Sequence, residues 1–242
     1  MGIDILVPVL SRPQNVQPLL ESLAVTGTPY RVFFICSPLD KEQIEACRAT
    51  NAETLVVDWQ PNRGDYAKKI NWAFGRTDSE WVFSGADDLR FQAEWDTLAL
   101  DLASKSQKSV IGTNDLHNPS VQRRMASTHT LFRRSYIEEY GGTEDDSGRV
   151  LCELYDHQFV DTEFVGVART RGVWAFSKYS IVEHLHPHWG NAEWDATYRK
   201  AIRATNADYR LYRKRRGELQ INGRATRRAI RQKAFEEKRW RQ

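Results

Sequence analysis

Two adjacent carboxylates, Asp87 and Asp88, follow a short apolar run at 81–84 that is typical of a buried strand. In open α/β sheets ligands bind beyond the carboxyl ends of the strands, so this pair occupies an expected ligand position. Carboxylate oxygens bind Mg²⁺ or Mn²⁺, and such a cation neutralises charge that develops on a diphosphate. Adjacent acids also occur in ordinary turns, so the pair needs support from the rest of the chain.

That support comes from a histidine cluster, since three of the six histidines, His184, His186 and His188, recur at every second position. Alternation of this kind predicts that all three lie on one side of an extended segment. Imidazole nitrogens are common metal ligands, and the chain has no C-x-x-C pair or H-E-x-x-H pattern to accompany a separate zinc centre. We therefore expect His184 or His186 to complete the metal site of Asp87 and Asp88. A zinc site built from the cluster alone is the alternative.

The segment Asn62-Arg63-Gly64 precedes a predicted helix that carries Lys68 and Lys69. A glycine and a helix N-terminus together favour negative charge, and the lysines add to that effect. The segment predicts contacts with a phosphate group, although a glycine before a helix is more often only a turn.

Asp161 and Glu163 are the remaining carboxylates that could do chemistry, on a predicted helix rich in apolar residues. Partial burial would raise the pKa of either carboxylate toward the range that suits a general base. An exposed helix face, with Asp161 near the helix N-terminus, is an equally good interpretation.

The elements that must position these residues form a repeated β-α pattern over the first ninety residues. Near-continuous apolar runs predict strands at 3–8, 31–36, 54–59 and 81–84, and spacings of three and four predict helices at 15–23, 41–49 and 65–74. The pattern then becomes mixed. We expect a helix at 94–103, a strand near Val110, a mobile loop at 114–127, a strand at 129–132, a short helix from 135 and a helix at 151–168.

Charge divides the chain into two parts. Residues 199–242 contain sixteen Lys or Arg and four Asp or Glu, a net of +12, so residues 1–198 carry −9 because the whole chain is +3. From residue 194 helical propensity is high while apolar residues become rare. We expect a catalytic domain at 1–198 and a basic helical arm at 199–242 that suits a polyanion or is simply a solvated helix. No apolar run is long enough for a membrane span, and the first residues do not form a secretory signal, so we expect a cytoplasmic protein.

Taken in order, the motifs resemble those of the family-2 glycosyltransferases of the GT-A fold, over most of the chain from residue 3 to about residue 190. The segment 5–13 resembles the family's first strand and nucleotide loop, and Asn62-x-Gly64-x-x-x-Lys68-x-x-Asn71 its Asn-Gly helix motif. Asp87-Asp88 occupies the place of the D-x-D signature. The segment 132–142 is similar to the family's acceptor-side segment, and Asp161-x-Glu163 with Arg171-Gly172 resembles its acidic motif.

The resemblance implies a Rossmann-like GT-A fold, a mostly parallel sheet flanked by helices, and a metal-dependent, inverting transfer of a hexosyl or pentosyl group. It implies Asp161, with Glu163 as second choice, as the base that deprotonates the acceptor hydroxyl. Mn²⁺ or Mg²⁺ would be held by Asp88, Asp87 and one of His184 and His186. The residues implied in donor binding are Pro8, Ser11, Arg12, Asn62, Arg63, Gly64, Lys68 and Asp87.

The donor is expected to be a nucleotide sugar, with a UDP-sugar favoured and the base open. The acceptor is expected to be a hydroxyl of a protein, a glycan or modified DNA such as that of a phage.

Two other functions compete with this one. A sugar-phosphate nucleotidyltransferase would use a similar sheet and paired acids, but the chain lacks a Gly-rich first loop with a lysine. A nucleic-acid-binding protein would act through its basic tail alone.

Overall fold

Strand β1 (Ile3–Pro8) shows how the sheet is built, because its side chains are buried on both faces. Ile3, Ile5 and Val7 belong to one cluster of buried side chains, and Leu6 belongs to another on the opposite face. A strand covered on both sides reads as a near-continuous apolar run, which is the pattern seen in the sequence. The computed structural model describes residues 2–143 and 147–240 and confirms the predicted α/β class.

The described residues contain the following strands and helices. The remaining strands are β2 (Tyr30–Cys36), β3 (Glu53–Val56), β4 (Trp81–Ser84), β5 (Leu89–Phe91), β6 (Val110–Asn114), β7 (Thr130–Arg133) and β8 (Trp174–His184). The helices are α1 (Val16–Leu23), α2 (Lys41–Arg48), α3 (Asp65–Phe74), α4 (Trp95–Ser106), α5 (Pro119–Gln122), α6 (Arg134–Tyr140), α7 (Val160–Arg171) and α8 (Ala196–Trp240).

The eight strands form one mixed sheet in the order β3-β2-β1-β4-β7-β6-β8-β5. The four strands of the repeated β-α half are parallel to one another, β7 is antiparallel to its neighbours β4 and β6, and β8 is parallel to β6. Apolar side chains of α1, α2 and α4 belong to the buried cluster on one face, and those of α3, α6 and α7 to the cluster on the other. The carboxyl ends of β1, β4 and β8 and the start of β7 therefore meet at one edge of the sheet.

Three predictions about local structure differ from what the structure shows. The helix expected at 151–168 begins only at Val160, because other elements bind the preceding backbone: Asn71 accepts hydrogen bonds from the N–H groups of residues 150 and 151, and Asp208 accepts those of residues 156, 157 and 158. The three alternating histidines do not share one extended segment, since β8 ends at His184 and Pro187 begins a 3₁₀ turn over Pro187–Trp189. The region 114–127, predicted as a loop, contains α5.

The predicted C-terminal helix is present as α8, and its packed face lies on α7. Arg215 of α8 makes two hydrogen bonds of 2.9 Å to Glu163 of α7, and the Tyr212 ring stacks on Phe159 with centroids 5.4 Å apart. Asp208 is fully buried. These contacts attach α8 to α7 beside the sheet edge. The division into domains at residues 198 and 199 stays a prediction. Among the described residues, no helix has the length and apolarity that crossing a membrane requires.

Candidate active site

A cavity of about 250 Å³ lies at the sheet edge where the strand ends meet. Its wall combines the turns that follow β1 and β4, the start of β7, the end of β8 and the first residues of α7 and α8. The side chains that could do chemistry and line this cavity are Arg12, Asn62, Asp65, Lys69, Asp87, Asp88, His129, Asp156, His157, Asp161, His184, His186, Tyr198 and Lys200. The sheet thus brings the sequence-predicted acids and histidines to one place, beyond the carboxyl ends of the strands.

Three side chains in the wall, Asp88, His129 and His184, could hold a metal ion, since one ligand atom of each lies within 4.8 Å of the others. Backbone pairing explains their meeting: Ser84 at the end of β4 is opposite Thr130 of β7, and Leu89 of β5 is opposite His184. His184 Nε2 is 3.4 Å from Asp88 Oδ1. The group joins one carboxylate and two imidazoles, a set that suits a first-row divalent metal.

The protonation of His129 supports this assignment. Its Nδ1 is 3.0 Å from the Ser84 carbonyl oxygen, which can only accept, so Nδ1 carries the proton and Nε2 keeps a lone pair. Burial lowers the pKa of His129 to about 4, so the ring is neutral at pH 7. Among the described residues, buried His129 Nε2 has no hydrogen-bond partner, and buried Asp88 Oδ1 has none beyond its ion-pair contact with His184 Nε2 at 3.4 Å. Orphaned buried acceptors cost free energy unless a ligand satisfies them, and a cation would satisfy both.

Arg12 lies beside this group and is shared among three carboxylates. Its Nη1 is 3.2 Å from Asp87 Oδ1 and 3.3 Å from Asp88 Oδ2, while Nε and Nη2 make hydrogen bonds of 2.7 and 3.1 Å to Asp195. Its guanidinium stacks 3.9 Å from the centre of the Tyr198 ring, whose hydroxyl donates to Asp88. Burial and the Asp88 charge raise the pKa of Asp87 to about 7. Arg12 alone therefore does not balance the three carboxylates. Despite burial, the charge of Asp88 also raises the pKa of His184, and a divalent cation would take the place of the His184 proton.

The two candidate bases have different surroundings. Asp161, in the first turn of α7, is half-buried and lines the cavity, and burial raises the pKa of its carboxyl. Glu163 is 1% exposed and is not among the lining residues; its oxygens accept hydrogen bonds from Tyr155 and Arg215. The arrangement therefore gives Asp161 access to a substrate and gives Glu163 a structural ion pair.

The residues expected to bind the donor separate into two sets. Pro8, Arg12, Asn62 and Asp87 line the cavity, whereas Ser11, Arg63, Gly64 and Lys68 are not among the described residues of its wall.

Two residues of the second set help to shape the wall. The Ser11 N–H donates to Asp40 at 2.6 Å. Gly64 has a φ of 73° and precedes α3, where a Cβ would come within 2.4 Å of the Glu153 carbonyl oxygen. Position 64 therefore requires glycine for backbone reasons rather than for contact with a ligand.

Lys69 lines the cavity but is engaged with protein atoms. Its Nζ is 2.9 Å from the Val9 carbonyl oxygen, 2.9 Å from Ser37 Oγ and 3.1 Å from Asp65. The side chain is 1% exposed, so it ties the ends of β1 and β2 together beneath the cavity.

His186 lines the cavity outside the candidate metal group. Its ring lies 4.7 Å from that of Tyr198, its Nδ1 accepts the His188 N–H at 3.2 Å, and burial lowers its pKa to about 4. A neutral, partly exposed imidazole at this position can donate to or accept from a bound molecule.

Sequence reasoning missed three residues of the site, His129, Asp195 and Tyr198. His129 gives no signal of its own, because it belongs to a strand-like run and its place beside β4 depends on the antiparallel pairing of β7. Asp195 and Tyr198 lie at the end of the predicted catalytic domain, where no motif singles them out, and their contacts with Arg12 and Asp88 depend on how the start of α8 packs. The one available signal was the concentration of aromatic and acidic residues around position 194.

No protein-family model and no curated protein sequence matches the chain, whereas solved structures do. The mannosyltransferase PcManGT from Pyrobaculum calidifontis, in complex with GDP-Man and Mn²⁺, has a TM-score of 0.59 and 11% identity over 93% of this chain and 73% of its own. Glucosyl-3-phosphoglycerate synthase from Mycobacterium tuberculosis, in complex with Mn²⁺, UDP and glucosyl-3-phosphoglycerate, has a TM-score of 0.56 and 10% identity over 86% and 79%.

Staphylococcus aureus TarS in complex with UDP-GlcNAc has a TM-score of 0.57 and 16% identity. The match covers 80% of this chain and 62% of the TarS chain, so the chain spans less than two thirds of that protein's length. At these identities the likeness establishes the fold. The chain has the GT-A fold of glycosyltransferases, which was predicted from the sequence, and its sheet is a mixed one of eight strands flanked by helices.

Proposed function

We propose that the chain is a metal-dependent glycosyltransferase that moves a sugar from a nucleoside diphosphate sugar to an acceptor hydroxyl with inversion. The observation that carries the proposal is the pair of orphaned buried atoms, Asp88 Oδ1 and His129 Nε2, facing His184 in a cavity at the sheet edge. The GT-A fold, and neighbours whose complexes contain UDP, UDP-GlcNAc, GDP-Man or Mn²⁺, support it.

The residues present fit a divalent cation, which we take to be Mn²⁺ or Mg²⁺. The imidazole ligands favour a first-row transition metal over Mg²⁺, which prefers oxygen, and Mn²⁺ is our first choice because the complexes of two structural neighbours contain it. When bound, the metal would neutralise the diphosphate that leaves with the nucleoside. Asp88, His129 and His184 would hold it, and Asp87 would remain paired with Arg12.

The donor is expected to enter between the ends of β1 and β4. Pro8, Asn62 and Asp87 line that part of the cavity, where they would contact the nucleoside. Arg12, already held by Asp195 and stacked on Tyr198, would be oriented toward the diphosphate. The base of the nucleotide stays open, and a UDP-sugar is our first choice.

Asp161 is proposed as the general base. The acceptor oxygen forms a bond to the anomeric carbon while its proton passes to the Asp161 carboxylate. The bond between that carbon and the diphosphate oxygen breaks, and its electron pair leaves with the nucleoside diphosphate. Attack on the face opposite the leaving group inverts the anomeric configuration. The raised pKa of Asp161 suits this task, because a base stronger than an ordinary aspartate takes a proton more readily.

A panel of nucleotide sugars tests the proposal. With Mn²⁺ present, one donor at 100 times its Kd is expected to stabilise the native state by about 2.7 kcal/mol, and EDTA is expected to remove the effect. Turnover is expected to release the nucleoside diphosphate. Release of a nucleoside triphosphate from a nucleotide sugar and pyrophosphate would instead indicate a nucleotidyltransferase, and stabilisation unchanged by EDTA would contradict the metal site.

A further inference from the structure

The exposed face of α8 carries basic side chains in a single line. With about 100° of rotation per residue, eight of them lie within about 60° of one direction along the helix. These eight residues, called here the basic face, are Arg199, Arg203, Arg210, Arg213, Lys214, Arg224, Arg228 and Arg231, and all are exposed. The opposite direction holds the buried residues Ala201, Asp208 and Leu219. From its first to its last member, the basic face runs for roughly 48 Å at 1.5 Å per residue.

So many like charges on one face repel each other. Neighbours three or four residues apart are about 5–6 Å from one another, which is less than the Debye length of about 8 Å at physiological salt. The sequence places only two acids, Asp208 and Glu218, between Arg199 and Arg231, and Asp208 is buried against residues 156–158. A polyanion lying along the helix would turn this repulsion into attraction.

Seven of the eight side chains are arginine, which points to phosphate as the anion. Guanidinium groups bind phosphate oxygens in a bidentate way, whereas lysine acts as a point charge. A line of guanidinium groups on a straight helix fits a polymer whose phosphates are also held at regular spacing. A duplex nucleic acid is such a polymer.

We propose that the basic face binds duplex nucleic acid through its phosphates. A membrane fits less well, because an amphipathic helix binds a bilayer by inserting its apolar face, and here Leu211, Tyr212 and Leu219 of that face contribute to the protein core or are buried. A single strand fits less well too, because its bases need aromatic platforms. Tyr209, the exposed aromatic residue beside the basic face, packs against Phe159.

The first turns of α8 lie at the cavity. Thr197, Tyr198, Lys200 and Ala201 line the cavity, and Arg199 and Arg203 belong to the same two turns of α8. Thr197 and Ala201 lie on the other side of the helix from the basic face, so a bound duplex would lie beside the first turns of α8 with the helix between it and the cavity.

Binding of a fluorescent 24-base-pair duplex to the full chain, measured by anisotropy, tests the proposal. The variant with Arg210→Gln, Arg213→Gln, Arg224→Gln and Arg228→Gln is expected to bind on the order of 10²–10³-fold more weakly at 0.1 M salt, with a salt slope shallower by about 3 to 4. The matched control carries Lys41→Gln, Arg48→Gln, Lys105→Gln and Lys178→Gln, four exposed residues elsewhere with the same change in charge. Thermal unfolding by circular dichroism confirms that both are folded.

Equal losses in the two variants, or tighter binding to the single strand or to vesicles containing anionic lipid than to the duplex, would overturn the proposal. Nucleotide-sugar binding is measured separately by Mn²⁺-dependent thermal stabilisation. A protein that binds the duplex through the basic face but no nucleotide sugar would leave this inference standing and refute the proposed enzyme activity. The converse result would refute the inference alone.

Discussion

Two buried carboxylates, Asp88 in the cavity wall and Glu163 outside it, have opposite surroundings. Asp88 has one oxygen without a hydrogen-bond partner among the described residues, beside an unpartnered nitrogen of His129. Both oxygens of Glu163 are bound, one of them twice, by Tyr155 and Arg215. Asp88 lines the cavity, whereas Glu163 is not among the described residues of its wall.

The difference separates a residue kept for chemistry from one kept for structure. A buried acceptor without a partner costs roughly 1–3 kcal/mol, more when charged, and such a cost is tolerated where a ligand completes the site. A fully satisfied ion pair needs no ligand, and it holds α8 against α7 instead. Burial alone does not distinguish the two residues. They differ in whether both carboxylate oxygens accept hydrogen bonds.

The largest effect is expected from Asp88→Asn. The amide keeps the size of the side chain but removes the charge that would bind the metal, which is worth several kcal/mol in the transition state. Metal-dependent turnover per folded molecule should fall by at least about 10³-fold, which is more than any loss of stability from the weakened pair with Arg12 would explain. Steady-state assays and urea titration measure the two quantities. If the variant keeps more than a tenth of the activity, Asp88 has no metal role.

Arg215→Met is expected to show the opposite pattern. It leaves the Glu163 charge buried without its ion-pair partner, so the free energy of unfolding should fall by about 3–5 kcal/mol. Activity per folded molecule at low temperature should change by only a few fold. The double variant Glu163→Gln, Arg215→Met should regain part of the stability, because the unpaired charge is gone. If activity per folded molecule falls by much more than a few fold, Glu163 becomes a candidate base again.

Asp161→Asn tests which carboxylate is the base. The acceptor is deprotonated only by the ionised form, so activity is lost as pH falls through the pKa of Asp161, and burial raises that pKa above its ordinary value. The wild-type pH profile at saturating Mn²⁺ should therefore show an acid limb above pH of about 4. The activity of the variant should be lower by on the order of 10²-fold or more, and its pH profile should lack that acid limb. A variant that keeps the limb would show that another group titrates there.

His129→Gln gives the smallest expected effect. The cation would keep Asp88 and His184, so its affinity should fall by about 10- to 100-fold while turnover at saturating Mn²⁺ falls less. Titration with Mn²⁺ followed by electron paramagnetic resonance measures the affinity. His188→Gln is the matched control, because His188 is exposed and outside the candidate metal group. Equal affinities of the two variants would exclude His129 as a ligand.

Local pattern was enough to predict most of the fold. The first four strands and three helices follow from apolar runs and from spacings of three and four, and the structure places them within a few residues of their predicted bounds. The predictions failed where distant residues bind the backbone. The segment before Val160 is not helical because Asn71 and Asp208, far away in sequence, accept its N–H groups. No local pattern contains that information.

The site was predictable to a similar degree. Asp87 and Asp88 follow the predicted strand β4, and the concentration of histidines singled out His184, so residue types and positions in the chain were sufficient to predict that they belong to one site. His129 required the pairing of β4 with β7, and Tyr198 required the docking of α8. Both depend on long-range packing. The roles of Asp161 and Glu163 could not be separated from the sequence, since two residues on one helix differ only in what covers them.

The position of the metal tests the central claim most directly. Crystals grown with Mn²⁺ and the nucleoside diphosphate identified by the donor panel would show the ion by its anomalous scattering. The account predicts a peak about 2.0–2.3 Å from Asp88 Oδ1, His129 Nε2 and His184 Nε2, with the diphosphate on its open side. A peak at another set of residues, or a diphosphate bound in the cavity without any metal peak, would contradict it.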